Sequence, residues 1–216
     1  MKTKPLTFLL ALTFLFLFSG SVYGDDYQDG LDAFVYKPAY KLFLRLAEQG
    51  DAEAQLNLGF MHVTGRGVPQ DYKEAVKWYR LAAAQGYARA QFDLGAMYRD
   101  GKGVPQNHRQ AVKLFRLSAE QGNEYAQNDL GSMYFHGRVV PQDYKEAEKL
   151  FRLAAEQGNA KAQYNLGGMY DISAGVPQDD KEAVKWFRLA AEQGLAAAQS
   201  ILDTLSKKKG IWDKVK

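Results

Sequence analysis

The sequence repeats itself every 36 residues. The tetrapeptide Ala-Glu-Gln-Gly, once replaced by Ala-Ala-Gln-Gly, ends at Gly50, Gly86, Gly122, Gly158 and Gly194. Four full units lie between these glycines, at 51–86, 87–122, 123–158 and 159–194. A fixed period of this length indicates a repeat architecture, in which each unit buries its apolar face only by stacking on its neighbours.

Each unit contains two helical patterns separated by a loop. Apolar and small residues recur at spacings of three and four, as in Ala54, Leu58 and Met61 of the first pattern and Ala75 and Tyr79 of the second. This spacing predicts two amphipathic helices per unit, and no segment shows the alternation of a strand. The predicted fold class is therefore all-α, built from antiparallel helix pairs.

The unit pattern resembles the Sel-one-like repeat family, a branch of the tetratricopeptide-like solenoids. The shared features are Ala-Gln, Leu-Gly, Tyr, a Gly-x-Gly-Val turn, Asp, Lys-Ala and a closing Ala-Ala-x-x-Gly, over roughly residues 39–205. The resemblance implies a right-handed α-solenoid with a concave inner surface. In the related tetratricopeptide arrays this surface is formed by the first helices and binds peptides.

The loop GRGVPQDYKEA, residues 65–75, could be a phosphate-binding loop or a turn between helices. It follows a helix rather than a strand, Pro69 lacks a backbone donor, and Asp71 places a carboxylate at the next helix start. The loop glycines are also replaced in later units, by Val139 and Ser173. We therefore expect a turn, with Gly65 ending one helix in a left-handed conformation.

The start of each second helix has the form of a capping box. In this motif the first side chain binds a free backbone N–H and the second reaches back to the first residue. The pairs are Asp71 with Glu74, Asn107 with Gln110, Asp143 with Glu146, and Asp179 with Glu182.

The first helix of each unit has a constant and a variable sector. Positions 54, 55, 58, 59, 61 and 62 barely change between units, whereas positions 53, 56, 60, 63 and 64 do. We expect the constant sector to carry the stacking and the variable sector, free of that task, to line a partner-binding groove. A simpler alternative is that these side chains vary because they are solvated. The candidate groove residues are Phe60, Arg89, Phe92, Arg99, Asp100, Tyr125, Phe135, His136, Lys161, Tyr164 and Asp171.

The sequence predicts no catalytic residue, metal site or cofactor. His62 stands where other units have tyrosine and is expected to pack, His108 is expected at the surface, and His136 belongs to the variable sector. Their spacing does not suit a metal site. Trp78 and Trp186 are interpreted as packing residues.

Residues 1–24 are typical of a secretory signal peptide. A basic start precedes an apolar run at 6–18, and Gly24 marks a plausible cleavage site. An uncleaved anchor is the alternative, although the run is short for a membrane span. We expect a periplasmic or secreted protein without a membrane span in the mature chain.

Composition narrows the function classes. The absence of cysteine excludes disulfides and a thiol nucleophile. Removing residues 1–24 takes away two lysines, so that 26 basic residues face 25 acidic ones, a net charge of +1. This balance argues against nucleic acid as a partner.

Both ends of the array diverge from the repeat. Residues 25–50 are interpreted as a capping helix pair, with a short helix over 30–36 that Pro38 ends. Residues 195–216 are interpreted as a capping helix and a tail that contains Trp212. Such divergence is expected of solenoid caps.

Three functions remain open. The first is a non-enzymatic scaffold that binds a protein or peptide partner in the cell envelope. The second is an envelope hydrolase acting on cell-wall or β-lactam compounds, suggested by a cysteine-rich branch of the family; those relatives carry disulfides, which this chain lacks. The third is a secreted factor that acts on a host cell.

Overall fold

The computed structural model describes residues 32–209. A π-helical turn at Asp32–Tyr36 leads into ten α-helices within this part of the chain. Their bounds are α1 Lys37–Glu48, α2 Ala52–Thr64, α3 Tyr72–Ala84, α4 Ala88–Asp100, α5 His108–Glu120, α6 Glu124–His136, α7 Tyr144–Glu156, α8 Ala160–Asp171, α9 Asp180–Glu192 and α10 Ala196–Lys209.

The helices stack in chain order. The main contacts join consecutive helices, with the pairs α2/α3, α4/α5, α6/α7 and α8/α9 each forming one 36-residue unit. The all-α solenoid of helix pairs is thus confirmed, and residues 32–209 contain no strand. Within the same range, no helix is long and apolar enough to cross a membrane.

A glycine and an aromatic ring lock the two helices of each unit together. The rings of Phe115, Phe151 and Phe187 are fully buried. A Cβ atom placed on Gly131 of α6 would lie 2.9 Å from the ring of Phe151 in α7. Because only hydrogen fits there, the recurring Leu-Gly pair brings the helix backbones close.

A chain of glutamines ties each unit to the one before. Gln127 of α6 is buried, donates through Nε2 to the Ala119 carbonyl at the end of α5 (3.2 Å), and accepts from Gln157 Nε2 at the end of α7 (2.8 Å). The same pairs recur in the other units, as Gln55 with Gln85, Gln91 with Gln121, and Gln163 with Gln193. The Ala-Gln and Glu-Gln-Gly motifs therefore satisfy buried polar groups at the helix ends.

Only half of each predicted capping box forms. Asp71 Oδ1 accepts from the backbone N–H of Lys73 (2.8 Å) and Glu74 (3.1 Å), as expected of an N-cap. The reciprocal bond from Glu74 was a wrong prediction, because the Asp71 N–H donates to the carbonyl of His62 at 2.9 Å. Glu74 instead pairs with Lys77. The corresponding amides of Asn107, Asp143 and Asp179 are likewise bound to the end of the preceding first helix.

The loop between paired helices keeps its backbone conformation when its glycines are lost. Gly65 ends α2 at φ 74°, which confirms the predicted left-handed helix stop. Val139 and Ser173 adopt φ values of 67° and 58° at positions where other units have glycine. The turn is therefore imposed by the surrounding helices rather than by glycine alone.

At the amino-terminal end, Pro38 does not separate two helices. It lies in the first turn of α1, where its missing N–H has no intrahelical partner to lose. The π-helical turn runs directly into α1. The predicted signal peptide (1–24) and the tail with Trp212 lie outside the described residues.

Candidate functional site

The candidate residues belong to α2, α4, α6 and α8. We call the face of these helices that carries the variable positions the groove face. This face is less free of packing than predicted. Leu56 and Val63 of the variable sector pack against the core of the first two units. The ring of Phe92 lies 5.6 Å from that of Phe115, and Tyr164 lies 5.6 Å from Phe187. These two variable aromatic side chains therefore pack against the conserved core rings. Each first helix contacts the helix before it and the helix after it, so little of its surface is free of packing.

Three candidates meet between the amino-terminal halves of α4 and α6. The guanidinium of Arg89 lies 5.3 Å from the ring centroid of Tyr125 and 5.9 Å from that of Phe92. Arg89 Nε also pairs with Asp93 at 3.1 Å. Burial raises the pKa of the Asp93 carboxyl, and the charge of Arg89 opposes this shift. This cluster joins aromatic and charged side chains across two units.

Arg99 links α4 to α6 further along. Its Nη1 lies 2.6 Å from Asp129 Oδ2, and its Nε lies 2.7 Å from Asp100 Oδ1. The hydrogen bond from Arg99 holds the pKa of Asp100 below its usual value, and the same bond raises the pKa of Arg99. Arg99 is therefore held in place by two carboxylates.

Four candidates line a cavity of about 300 Å³ at the carboxyl-terminal ends of α6 and α8. We call it cavity one. Phe135 forms part of its wall, with its ring 5.3 Å from that of Tyr144 and 5.0 Å from that of His136. The lining residues are Ser132, Phe135, His136, Phe151, Tyr164, Asn165, Gly168, Asp171, Ile172, Phe187 and Ile201.

Cavity one is open because one groove position becomes small. Position 60 of the first unit corresponds to Phe60, Ala96, Ser132 and Gly168 in successive units. A Cβ atom placed on Gly168 would have nothing within 4 Å. Unlike Gly131, Gly168 thus faces open space.

Sequence reasoning missed part of this wall. Asn165 lines cavity one and donates through Nδ2 to Oδ1 of the buried Asn128 at 2.9 Å. A signal was present, since this position is polar in every unit, as Asn57, Asp93, Asp129 and Asn165. Ile201 of α10 also lines the cavity, and it lies outside the four full units that revealed the variable sector.

A second cavity, cavity two, adjoins the first at Ser132. It has a volume of about 490 Å³ and lies at the joint between the second and third units. Its lining residues are Arg99, His108, Asp129, Ser132, Met133, Arg138 and Val139. Arg99 is the one predicted candidate among them.

The remaining candidates lie apart from the cavities. Phe60 of α2 is half-buried and lies 5.9 Å from the Arg66 guanidinium. Lys161 is exposed at the start of α8 and lines neither cavity. The structure thus divides the eleven predicted residues among several places rather than one site.

The other side chains considered above are divided between the core and the surface. His62 is buried against Tyr40, with the hydroxyl 3.4 Å from Nε2, and burial lowers the pKa of its imidazole. His108 is exposed and Trp186 is buried, as predicted. Trp78 packs against the core beside α1. Across residues 32–209, no group of His, Cys, Asp and Glu side chains could hold a metal ion.

These helix pairs, glycine locks and glutamine links define an α-solenoid repeat protein. The chain belongs to the Sel1 repeat family, whose model matches residues 23–51, 52–87, 88–123, 124–159 and 160–195. The resemblance inferred from the motifs is therefore confirmed, and the family model also covers the divergent amino-terminal segment. A search of curated proteins found no match.

Solved structures share this fold. A Sel1 repeat protein from Oxalobacter formigenes is 36% identical, with a TM-score of 0.72 over 77% of this chain and 66% of that one. A protective antigen present in uropathogenic Escherichia coli strains is 41% identical, with a TM-score of 0.70 over 74% of this chain and 34% of that one. This chain thus spans less than two thirds of either protein. An immunity protein from Pseudomonas aeruginosa, 24% identical with a TM-score of 0.61 over 92% and 69% of the two chains, shares the fold.

Proposed function

We propose that this Sel1 repeat protein is a non-enzymatic scaffold that binds a peptide or protein segment along the groove face. The observation that carries the proposal is cavity one, into which an apolar side chain of the partner would insert. Aromatic and aliphatic side chains form most of its wall, and His136, Asp171 and Asn165 lie at its polar parts. Such a mixture suits recognition, because apolar contacts supply affinity and a few polar groups fix orientation.

The division between constant and variable residues supports the same function. The core aromatics and the glutamine links are the same or nearly the same in all four units, so they specify the array. The position that sets the depth of the groove instead varies from Phe60 to Gly168. A regular frame with one locally opened position is the arrangement expected of a solenoid with a specific partner.

A substitution that fills cavity one tests the proposal. Gly168→Phe adds a ring at a position that lines the cavity and where a Cβ atom would have nothing within 4 Å. Lys113→Phe, on the exposed surface of α5, is the matched control because it adds a similar ring away from the groove face. The proposal predicts that wild type and Lys113→Phe capture the same partner from an envelope extract, whereas Gly168→Phe does not. Equal capture by all three proteins would exclude cavity one as the binding site.

We also propose that the scaffold acts in the periplasm or outside the cell. The support is the basic and apolar pattern of residues 1–24. Fractionation of the native organism and mass spectrometry of the mature amino terminus would test this. A cytoplasmic protein that retains residues 1–24 would contradict it, and recovery from the medium would favour a partner on a host cell.

A further inference from the structure

Each loop between paired helices contacts the preceding unit, and we call this contact a joint. One of the four joints differs from the others. In three of the four loops, the second glycine lies against the residue at the start of the second helix of the preceding unit. For the first loop, that residue is Tyr36, which comes just before α1. A Cβ atom on Gly67 would lie 2.7 Å from the carbonyl oxygen of Tyr36, and one on Gly103 or Gly175 would clash with Tyr72 or Tyr144. Since these contacts leave no room for a side chain, glycine seals each of the three joints.

Val139 occupies the same place in the third loop. It adopts the left-handed conformation of the glycines, with φ 67°, and its side chain is 47% exposed. Valine is unfavourable in this conformation because its branched Cβ meets the backbone. By the repeat register its neighbour across the joint is His108, and both residues line cavity two. The joint is therefore open where valine replaces glycine, at a cost in backbone strain.

Cavity two is lined by one guanidinium that can pair with an anionic group, that of Arg138. Asp129 pairs with Arg99 at 2.6 Å, and Arg99 also pairs with Asp100 at 2.7 Å, so these three side chains are engaged with one another. Arg138, which is exposed, has no ion-pair partner among the side chains of residues 34–206. The exposed His108 adds a second nitrogen-bearing group to the lining of the cavity. Among the charged side chains that line cavity two, Arg138 is thus the one that is not held in an ion pair.

We propose that Val139 holds open a subsite for an acidic side chain of the segment that inserts its apolar residue into cavity one. The two cavities share Ser132 as a lining residue, so a single extended segment can reach both. The recognised motif would then pair an apolar anchor with a glutamate or aspartate a few residues away. This inference rests on the proposed function, and it adds the charge and spacing that the partner must have.

Synthetic nonapeptides provide the test. Each carries one tryptophan or leucine and, two to five residues away on either side, a glutamate or the uncharged control glutamine. Fluorescence anisotropy at low salt measures their affinity for the full-length protein. We expect one spacing at which the glutamate peptide binds about two- to fivefold more tightly than its glutamine counterpart, within the range of exposed ion pairs. Arg138→Gln should abolish this preference, whereas Arg109→Gln, on the exposed surface of α5, should preserve it.

Val139→Gly distinguishes the subsite from a merely structural loop. We expect this variant to melt at a higher temperature, because glycine relieves the strain, and yet to lose the preference for glutamate, because the joint closes. If glutamate and glutamine peptides bound the wild type with equal affinity at every spacing, the acidic subsite would be wrong. If Gly168→Phe abolished binding in the same experiment, the proposed function would still stand. Equally strong competition by inorganic phosphate would overturn the assignment to an acidic side chain. Failure of every peptide to bind would count against the proposed function itself.

Discussion

Gln157 Nε2 donates to Gln127 Oε1 at 2.8 Å, and Gln127 in turn donates to the carbonyl of Ala119 in the preceding unit. This relationship explains why Ala-Gln and Glu-Gln-Gly recur at a fixed spacing. Each unit satisfies the end of the helix before it, so the polar contacts propagate along the array in step with the apolar ones. The period of the sequence is thus the period of this hydrogen-bonded link.

Removing the link should destabilise the array. Gln127→Leu replaces the amide by an apolar group of similar size and removes two hydrogen bonds, the one from Gln127 Nε2 to the Ala119 carbonyl and the one from Gln157 Nε2 to Gln127 Oε1. We expect the free energy of unfolding to fall by about 1–3 kcal/mol. Urea denaturation followed by circular dichroism measures this. The control Gln49→Leu, at an exposed position, should change it by less than about 0.5 kcal/mol; equal losses would show that the link has no special role.

The two kinds of first-helix glycine should respond differently to a side chain. Gly131→Leu drives atoms into the ring of Phe151, so we expect a loss of about 1–3 kcal/mol or more. Gly168→Leu extends into cavity one, and because leucine is the better helix former it should leave stability unchanged or raise it. Melting temperatures of the two variants provide the comparison. If Gly131→Leu had the same melting temperature as the wild type, Gly131 would have no packing role.

His62 should make the first joint sensitive to acid. Burial lowers the pKa of its imidazole, and the charges of Glu74 and Asp71 oppose this only in part. The folded protein therefore disfavours the charged ring, and stability should be lost as the pH falls below the ordinary histidine pKa of about 6.5. The Nδ1 atom of His62 is buried without a hydrogen-bond partner. In the charged ring both nitrogens carry a proton, and the N–H at Nδ1 would have no acceptor.

The comparison with His62→Phe isolates this effect from the carboxylates, which titrate in both proteins. We expect the melting temperature of the wild type to drop more between pH 7.5 and pH 5.5 than that of the variant. A difference between the two proteins that does not change with pH would contradict the prediction. It would mean that the ring remains neutral or is solvated when charged.

Much of the frame could be predicted from sequence because it repeats. Four copies separate positions that must be glycine or aromatic from positions that can change, and this identified the helix pairs and the loop turns. The reciprocal capping bond of Glu74 was wrong because the competing acceptor, the carbonyl of His62, lies at the end of another helix. The repeat period shows which positions are equivalent in successive units. It does not show which of two acceptors lies nearer to the Asp71 N–H.

The site was harder to predict because its geometry depends on differences between units. The variable sector contained Phe135, His136, Tyr164 and Asp171 of cavity one, but no pattern showed that these four meet while Phe60 and Lys161 lie elsewhere. The space itself arises from the missing side chain of Gly168. A void follows from what neighbouring helices leave unfilled, and this can be judged only once their packing is known.

Site-specific cross-linking in the native organism tests the central claim most directly. A photoreactive benzoylphenylalanine replaces either Tyr164, in the wall of cavity one, or Leu117, which is exposed on α5 of the second unit. We predict that irradiation joins one partner to the protein labelled at position 164 and none to the protein labelled at 117. Adding Gly168→Phe should remove the cross-linked product. A product formed from position 117 alone, or one from position 164 that persists with the cavity filled, would contradict binding at the groove face.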